Sequence, residues 1–325
     1  MENNTIAKQR NFKYDNIKAI LIFLVIFGHV LRPIIKTNID AKLVYMAIYT
    51  FHMPAFIYVM GMFSRPKKNK IWLFLSLYAI FQLLYTPFLH YLFGNPMKLT
   101  FIRPQWSLWY LIAAAAYTSL TFILPKKLSS TKSIICVFIT SAIALLAGFC
   151  PWIDQPLALS RIIAFFPFFA AGKYGFFKPV EKKTHIKWLW LFVALSLTVA
   201  YIFWSKGNYN DLYRASGYVV TRCGWHLRAI AMVAAFCWIK TLLLFIPNKN
   251  IPFVTTIGKR TLPIYLMHGF IVKLFDCYCD TQYSILIAFV TSSLILVLCV
   301  SAAMLFSKLK NQVARKTSKK DKNAI

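Results

Sequence analysis

The run Asn16-Ile-Lys-Ala-Ile-Leu-Ile-Phe-Leu-Val-Ile-Phe-Gly-His29-Val-Leu31 is apolar enough to lie in a lipid bilayer, yet it carries Lys18 and His29. Eleven positions separate them. At about 100° per residue they return to within about 20° of each other, with His29 about 16 Å farther along the helix. The pair therefore forms a polar line on one face of an expected membrane helix. Ionisable groups at such depth are costly, and their presence points to a reaction site or a substrate path.

The rest of the chain fits that setting. Of 325 residues, 59% are hydrophobic, 17% aromatic and only 14% charged, and the mean hydropathy is +0.58. A formal net charge of +29 would suggest nucleic acid in a soluble protein. Here the cations fall between apolar runs and in the C-terminal tail, where they read as orientation signals, and no nucleic-acid partner is expected. Arg32, Pro33 and Lys36 follow the first run where a signal peptidase would need small residues, so this run is expected to remain as a span.

Apolar runs predict ten spans, at about 16–35, 43–63, 71–93, 106–124, 133–150, 159–177, 186–204, 226–246, 261–275 and 283–306. With the N-terminus inside, 25 of the 38 lysines and arginines fall in inner segments and 7 in outer ones. The inner set includes Lys8, Lys178, Lys182 and Lys183. This alternation predicts an all-α, polytopic single bundle with both termini cytoplasmic. The expected division is a cytoplasmic segment 1–12, a membrane domain 13–306 and a basic cytoplasmic tail 307–325. The seven cysteines lie mostly in or beside apolar runs without metal-ligand spacing. They read as small apolar fillers, with a pair in the outer loops as the other possibility, and no metal site is expected.

His29 stands out among six histidines because it shares a face with Lys18, and Asp15 lies one turn before Lys18, within pairing distance. Lys18 could alternatively be an interfacial cation that snorkels. His52-Met-Pro54 is expected to break the second helix locally and to free a carbonyl that His52 or another group satisfies. The outer loop between the third and fourth spans carries Arg103, Trp106, Trp109 and Tyr110. Cation and aromatic faces of this kind suit a sugar ring or an anionic acceptor, and equally an interfacial belt. Arg161 and Arg222 join the acceptor-side candidates. Asp211, Arg214, Trp225, His226 and Arg228 either line an acceptor site or form a solvated surface.

Four segments carry a resemblance to the acyltransferase 3 family of integral membrane acyltransferases, in its fucose 4-O-acetylase-like branch. They are Tyr14 to His29, Phe51-His-Met-Pro-Ala-Phe-Ile-Tyr-Val-Met-Gly61, Phe165-Phe-Pro-Phe-Phe-Ala-Ala-Gly172, and Gly258-Lys-Arg-Thr-Leu-Pro-Ile-Tyr-Leu-Met-His268. The family pattern of a basic residue, ten residues and a histidine falls on Lys18 and His29, with lysine where arginine is common.

The resemblance implies a multi-pass protein of a cell membrane, a bacterial plasma membrane by expectation. It implies transfer of an acyl group, usually acetyl from cytoplasmic acetyl-CoA, to a hydroxyl of a glycan or lipid-linked sugar at the outer face, with no permanently bound cofactor. His29 is then the candidate base and Lys18 the cation for the CoA phosphates, with Lys173, Arg65, Lys259 and Arg260 either further donor-side cations or ordinary positive-inside charge. Tyr265 and His268 either assist the proton path, shape the acyl pocket or pack. A transporter or flippase would also fit ten spans and a proline-broken helix. The absence of a repeated half and the scarcity of acidic residues in the spans count against it.

Overall fold

The computed structural model describes residues 10–153, 156–177, 184–209, 217–279 and 282–322, the side chains of 184 and 313–322 excepted. Asn11 caps the first helix through the Lys13 amide. The helices are α1 (Phe12–Leu31), α2 (Ile39–Met62), α3 (Lys68–Phe93), α4 (Trp109–Leu120), α5 (Ser130–Leu146), α6 (Leu159–Lys173), α7 (Thr184–Trp204), α8 (Tyr218–Thr221), α9 (Trp225–Phe245), α10 (Pro252–Lys259), α11 (Thr261–Tyr278) and α12 (Ile285–Lys322). There is no strand among the described residues. Lys8, Lys178, Lys182, Lys183, Asp211 and Arg214 lie outside the described residues.

The protein is an all-helical, polytopic membrane protein. Each of the ten expected segments contains a helix, and among the described residues eight helices are long and apolar enough to cross a membrane. The fourth and ninth fall short of that standard. Residues 106–124 give only the 12 residues of α4, about 18 Å of helix. The 18-residue α11 carries Lys273 and Asp276.

α1 and α2 form the centre. α1 packs on α2, α10, α11 and α12, and α2 on α6, α7 and α9. Around them α3, α5, α7 and α12 turn apolar stripes outward, such as Phe192, Leu195, Val199 and Phe203 on α7. In a bilayer that face meets lipid, so exposed apolar side chains carry no penalty there.

Close helix contacts fall at glycines of the four quoted segments. Gly61 of α2 and Gly172 of α6 face each other's backbones: a Cβ at 61 would strike the Phe169 carbonyl oxygen, and one at 172 the Tyr58 carbonyl oxygen. A Cβ at Gly258 would strike the Asp15 carbonyl, so α10 lies directly on the start of α1. Small residues allow such approach, and packing drives helix association in lipid.

Pro54 does not break α2, which continues to Met62. His52 Nδ1 lies 2.8 Å from the Ile48 carbonyl, one turn back, so the ring satisfies a carbonyl other than the one at Thr50 that proline leaves without its helical donor. The filler reading of the cysteines holds for Cys223, Cys237 and Cys299, which are buried, but Cys277 and Cys279 are exposed.

The chain ahead of α4, residues 94–108, is a loop that returns along α3. α3 ends at Gly94 in the left-handed conformation, and the chain folds back down its side without helix. The fully buried Gln82 holds the loop there. Its amide nitrogen donates to the carbonyls of Thr100 (2.6 Å) and Arg103 (3.1 Å), and its oxygen accepts from the Gln105 amide (2.9 Å). The Tyr78 hydroxyl donates to the Phe101 carbonyl at 2.7 Å. Irregular backbone at membrane depth persists only where protein groups satisfy it, and these side chains do so.

Candidate active site

The α1 face read from the sequence lines a cavity. Lys18, Ile22, Val25 and His29 succeed one another along one wall of a space of about 370 Å³. The opposite wall repeats the helical spacing on α2, with Tyr49, His52, Met53, Phe56 and Met60, and Phe63 follows just past its end. Arg65 and Lys70 stand at the same end as Lys18, while Trp106, Trp109, Tyr110, Arg161 and Tyr265 complete the walls. The volume falls in the range of small-molecule sites, which are apolar with a few placed polar groups.

At the basic end, the Lys18 ammonium lies 2.9 Å from Asp15, as the i, i+3 spacing predicts, and Asp15 also pairs with Arg10 at 2.7 Å. Asp15 is buried. The carboxylate thus fixes the root of Lys18 while the side chain borders the cavity.

At the other end, His29 sits among aromatic rings. Its Nδ1 lies 3.5 Å from the Tyr49 hydroxyl, and its ring centroid is 4.3 Å from that of Trp106 and 5.6 Å from that of His268. Tyr49 in turn meets His52 edge-on at 4.6 Å. Trp106 has φ +43°, a left-handed conformation for a bulky residue, which costs about 1–3 kcal/mol and persists only where the surroundings impose it. Those surroundings are the Gln82 clamp and the Tyr265 hydroxyl, which donates to the Ser107 carbonyl at 2.5 Å.

Arg161 brings a guanidinium to the same chamber, 5.1 Å from the Trp109 ring. One space therefore holds imidazoles, a guanidinium and indole faces, with two ammonium groups and a second guanidinium at its basic end. That inventory suits transfer between a polyanionic donor and a neutral hydroxyl: a base, a donor for developing negative charge and cations for phosphates.

Of the residues singled out in the sequence, Lys18, His29, Arg65, Trp106, Trp109, Arg161 and Tyr265 border the cavity, and His268 lies just behind His29. Lys173, Lys259, Arg260, Arg103 and Arg222 do not border it. The Lys173 ammonium packs over the Tyr174 ring, Lys259 over Phe12, and Arg260 reaches the Thr256 carbonyl. Arg103 and Arg222 are exposed. Each of these five sits beside a motif or in a basic loop, and proximity in sequence does not carry its head group into the chamber.

Tyr110, read from the sequence with Trp106 and Trp109, borders the cavity as well, Tyr49 and Lys70 border it without having been singled out, and His52 borders it besides its structural bond. Tyr49 precedes His52 by three positions on one helix face, a signal as regular as that of Lys18 and His29.

A family model described as an acyltransferase domain, acyltransferase 3, matches residues 11–306. The chain belongs to this family. It is a membrane acyltransferase. Among curated proteins it is similar to nodulation protein NolL of Mesorhizobium japonicum, 29% identical over 311 residues, 83% of this chain and 79% of that protein. It is also similar to nodulation protein NolL of Sinorhizobium fredii, 25% identical over 309 residues, 83% of this chain and 80% of that one. No solved structure matches the chain significantly.

Proposed function

We propose that this acyltransferase moves an acetyl group from acetyl-CoA, entering at the Lys18 end of the cavity, to a hydroxyl of a cell-surface or lipid-linked sugar that approaches His29 from the opposite, outer side. The supporting observation is that Lys18 and His29 border one continuous cavity. Lys18, Arg65 and Lys70 suit the donor's phosphates, and the channel between α1 and α2 suits its narrow thioester-bearing arm.

His29 takes the proton of the acceptor hydroxyl as that oxygen attacks the thioester carbonyl carbon. Arg161 donates hydrogen bonds to the oxyanion that forms. The carbon–sulfur bond then breaks, the proton passes from His29 to the leaving thiolate, and the products are an O-acetyl sugar and free CoA. With Nδ1 turned to Tyr49, Nε2 is the nitrogen that works. No covalent acyl-enzyme is required. By the positive-inside pattern the donor side is cytoplasmic.

Vesicles containing the protein, supplied with radiolabelled acetyl-CoA on the Lys18 side, test this reading. Label should pass to glycan with the wild type and fall by about 10²–10⁴-fold with His29→Ala. Lys18→Met should chiefly raise the KM for acetyl-CoA. Equal labelling by wild type and His29→Ala, or sugar crossing the bilayer without acetylation, would overturn it.

A further inference from the structure

A second space, of about 50 Å³, lies between α2, α6 and α9. Two residues, Tyr49 of α2 and Phe165 of α6, border both this space and the chamber that holds Lys18 and His29. At these two positions a single side chain separates the spaces. Beyond them the lining is small or apolar, with Pro54, Ala164, Ala231 and Met232, apart from Thr50 and Arg228. The Thr50 hydroxyl donates to the Met46 carbonyl at 2.9 Å, and the Arg228 guanidinium lies 4.6 Å from the centroid of the Tyr218 ring. With both polar groups engaged elsewhere, a void of this kind accepts hydrocarbon more readily than water. One water molecule needs about 10–15 Å³ of such space, so there is room for a few methylene groups.

The partition stands beside the reacting groups. The Tyr49 hydroxyl is 3.5 Å from His29 Nδ1. Phe165 follows Arg161 by four positions on α6, so the two share a face. Trp109 meets both: the Arg161 guanidinium lies 5.1 Å from its ring, and the Phe165 ring stacks on it with centroids 5.6 Å apart. In the proposed transfer the thioester carbonyl turns its oxygen to Arg161 and its sulfur to the Lys18 end. The carbon chain of the acyl group is left to face the wall beside His29 and Arg161, where Tyr49 and Phe165 stand.

We infer that Tyr49 and Phe165 set the length of the acyl group: the pair closes the chamber just past an acetyl methyl, and the space behind it is the room that a longer chain would take if Phe165 were smaller. This rests on the proposed transfer from a CoA thioester and names what the donor carries. The bond changes are the same for every chain length, carbon–sulfur breaking and carbon–oxygen forming, so the wall selects by fit. One methylene too many in an apolar pocket costs about 10-fold to 200-fold in kcat/KM.

The test supplies vesicles containing the protein, on the Lys18 side, with acetyl-CoA, propionyl-CoA or butyryl-CoA labelled in the acyl group, and measures both label in glycan and equilibrium binding of each ester. The wild type should use acetyl-CoA and lose at least about 10-fold in kcat/KM with butyryl-CoA. Phe165→Ala should raise kcat/KM for butyryl-CoA relative to acetyl-CoA by about 10-fold or more. Adding Ala231→Leu, which refills the second space, should remove that gain, whereas a merely loosened fold would keep it. If Phe165→Ala does not fold, Phe165→Leu should show the same shift toward propionyl-CoA. A wild type that uses butyryl-CoA as well as acetyl-CoA, a preference unmoved by the Phe165 variants, or a gain that survives Ala231→Leu overturns the wall while acetyl transfer stands. If no ester gives label in glycan, the transfer reading falls and binding decides the wall: Phe165→Ala should then hold butyryl-CoA about 10-fold tighter than the wild type does, and equal binding overturns it.

Discussion

Tyr49 leans on Gly28, the residue immediately before His29: a Cβ at position 28 would lie 2.8 Å from Tyr49 Cε2. The absent side chain is what lets a tyrosine of α2 bring its hydroxyl to the imidazole of α1. Tyr49 has little room to yield, because its ring stacks on Tyr45 with centroids 4.0 Å apart. A catalytic ring needs a partner that fixes its orientation, and here sequence neighbours on two helices supply it.

Gly28→Ala should therefore displace the Tyr49–His29 contact while leaving the helices intact. A misplacement of about 1 Å at a reacting group can cost about 10²-fold in rate. Initial rates of acetyl transfer, compared with helix content by circular dichroism, check this. Full activity in Gly28→Ala would show that Tyr49 does not position His29.

Gly172→Ala addresses the scaffold instead of the chemistry. Its Cβ would meet the Tyr58 carbonyl, backbone that cannot rotate away, so α2 and α6 must separate. Overpacking of this kind costs about 1–3 kcal/mol. Thermal unfolding in detergent should show a lower midpoint, and an unchanged midpoint would mean that the helix pair is looser than the backbone contact requires.

Gln82→Leu removes the clamp on the loop ahead of α4 and takes their partner from two carbonyls and an amide in partly buried surroundings. Each unsatisfied buried group costs about 1–3 kcal/mol. Hydrogen exchange should quicken through residues 100–105, and acceptor transfer should weaken as Trp106 loses its imposed conformation. Protection equal to that of the wild type would place the loop's stability elsewhere.

The membrane fold and the Lys18–His29 face were legible because each is a periodic property of a single chain segment. Apolar run length sets a span, and 3.6-residue spacing sets a face, before any other helix is present. The i, i+3 pairing of Asp15 with Lys18 is local for the same reason. What remained hidden depends on which segments meet. Pro54 was expected to break a helix that runs on to Met62, and nothing local shows that the loop ahead of the fourth span is tied to Gln82 of the third.

The sequence by itself determined that an ammonium and an imidazole share one wall of a lipid-embedded helix. Only the tertiary structure decided what faces them: Tyr49, Trp106 and Arg161 come from three other stretches of chain, and Lys173, Lys259 and Arg260 turn elsewhere. A side chain's direction along its own helix follows from backbone geometry, whereas its neighbour across a cavity follows from how closely helices approach. In this protein that approach is set by Gly28, Gly61, Gly172 and Gly258, whose effect lies in the side-chain atoms they lack.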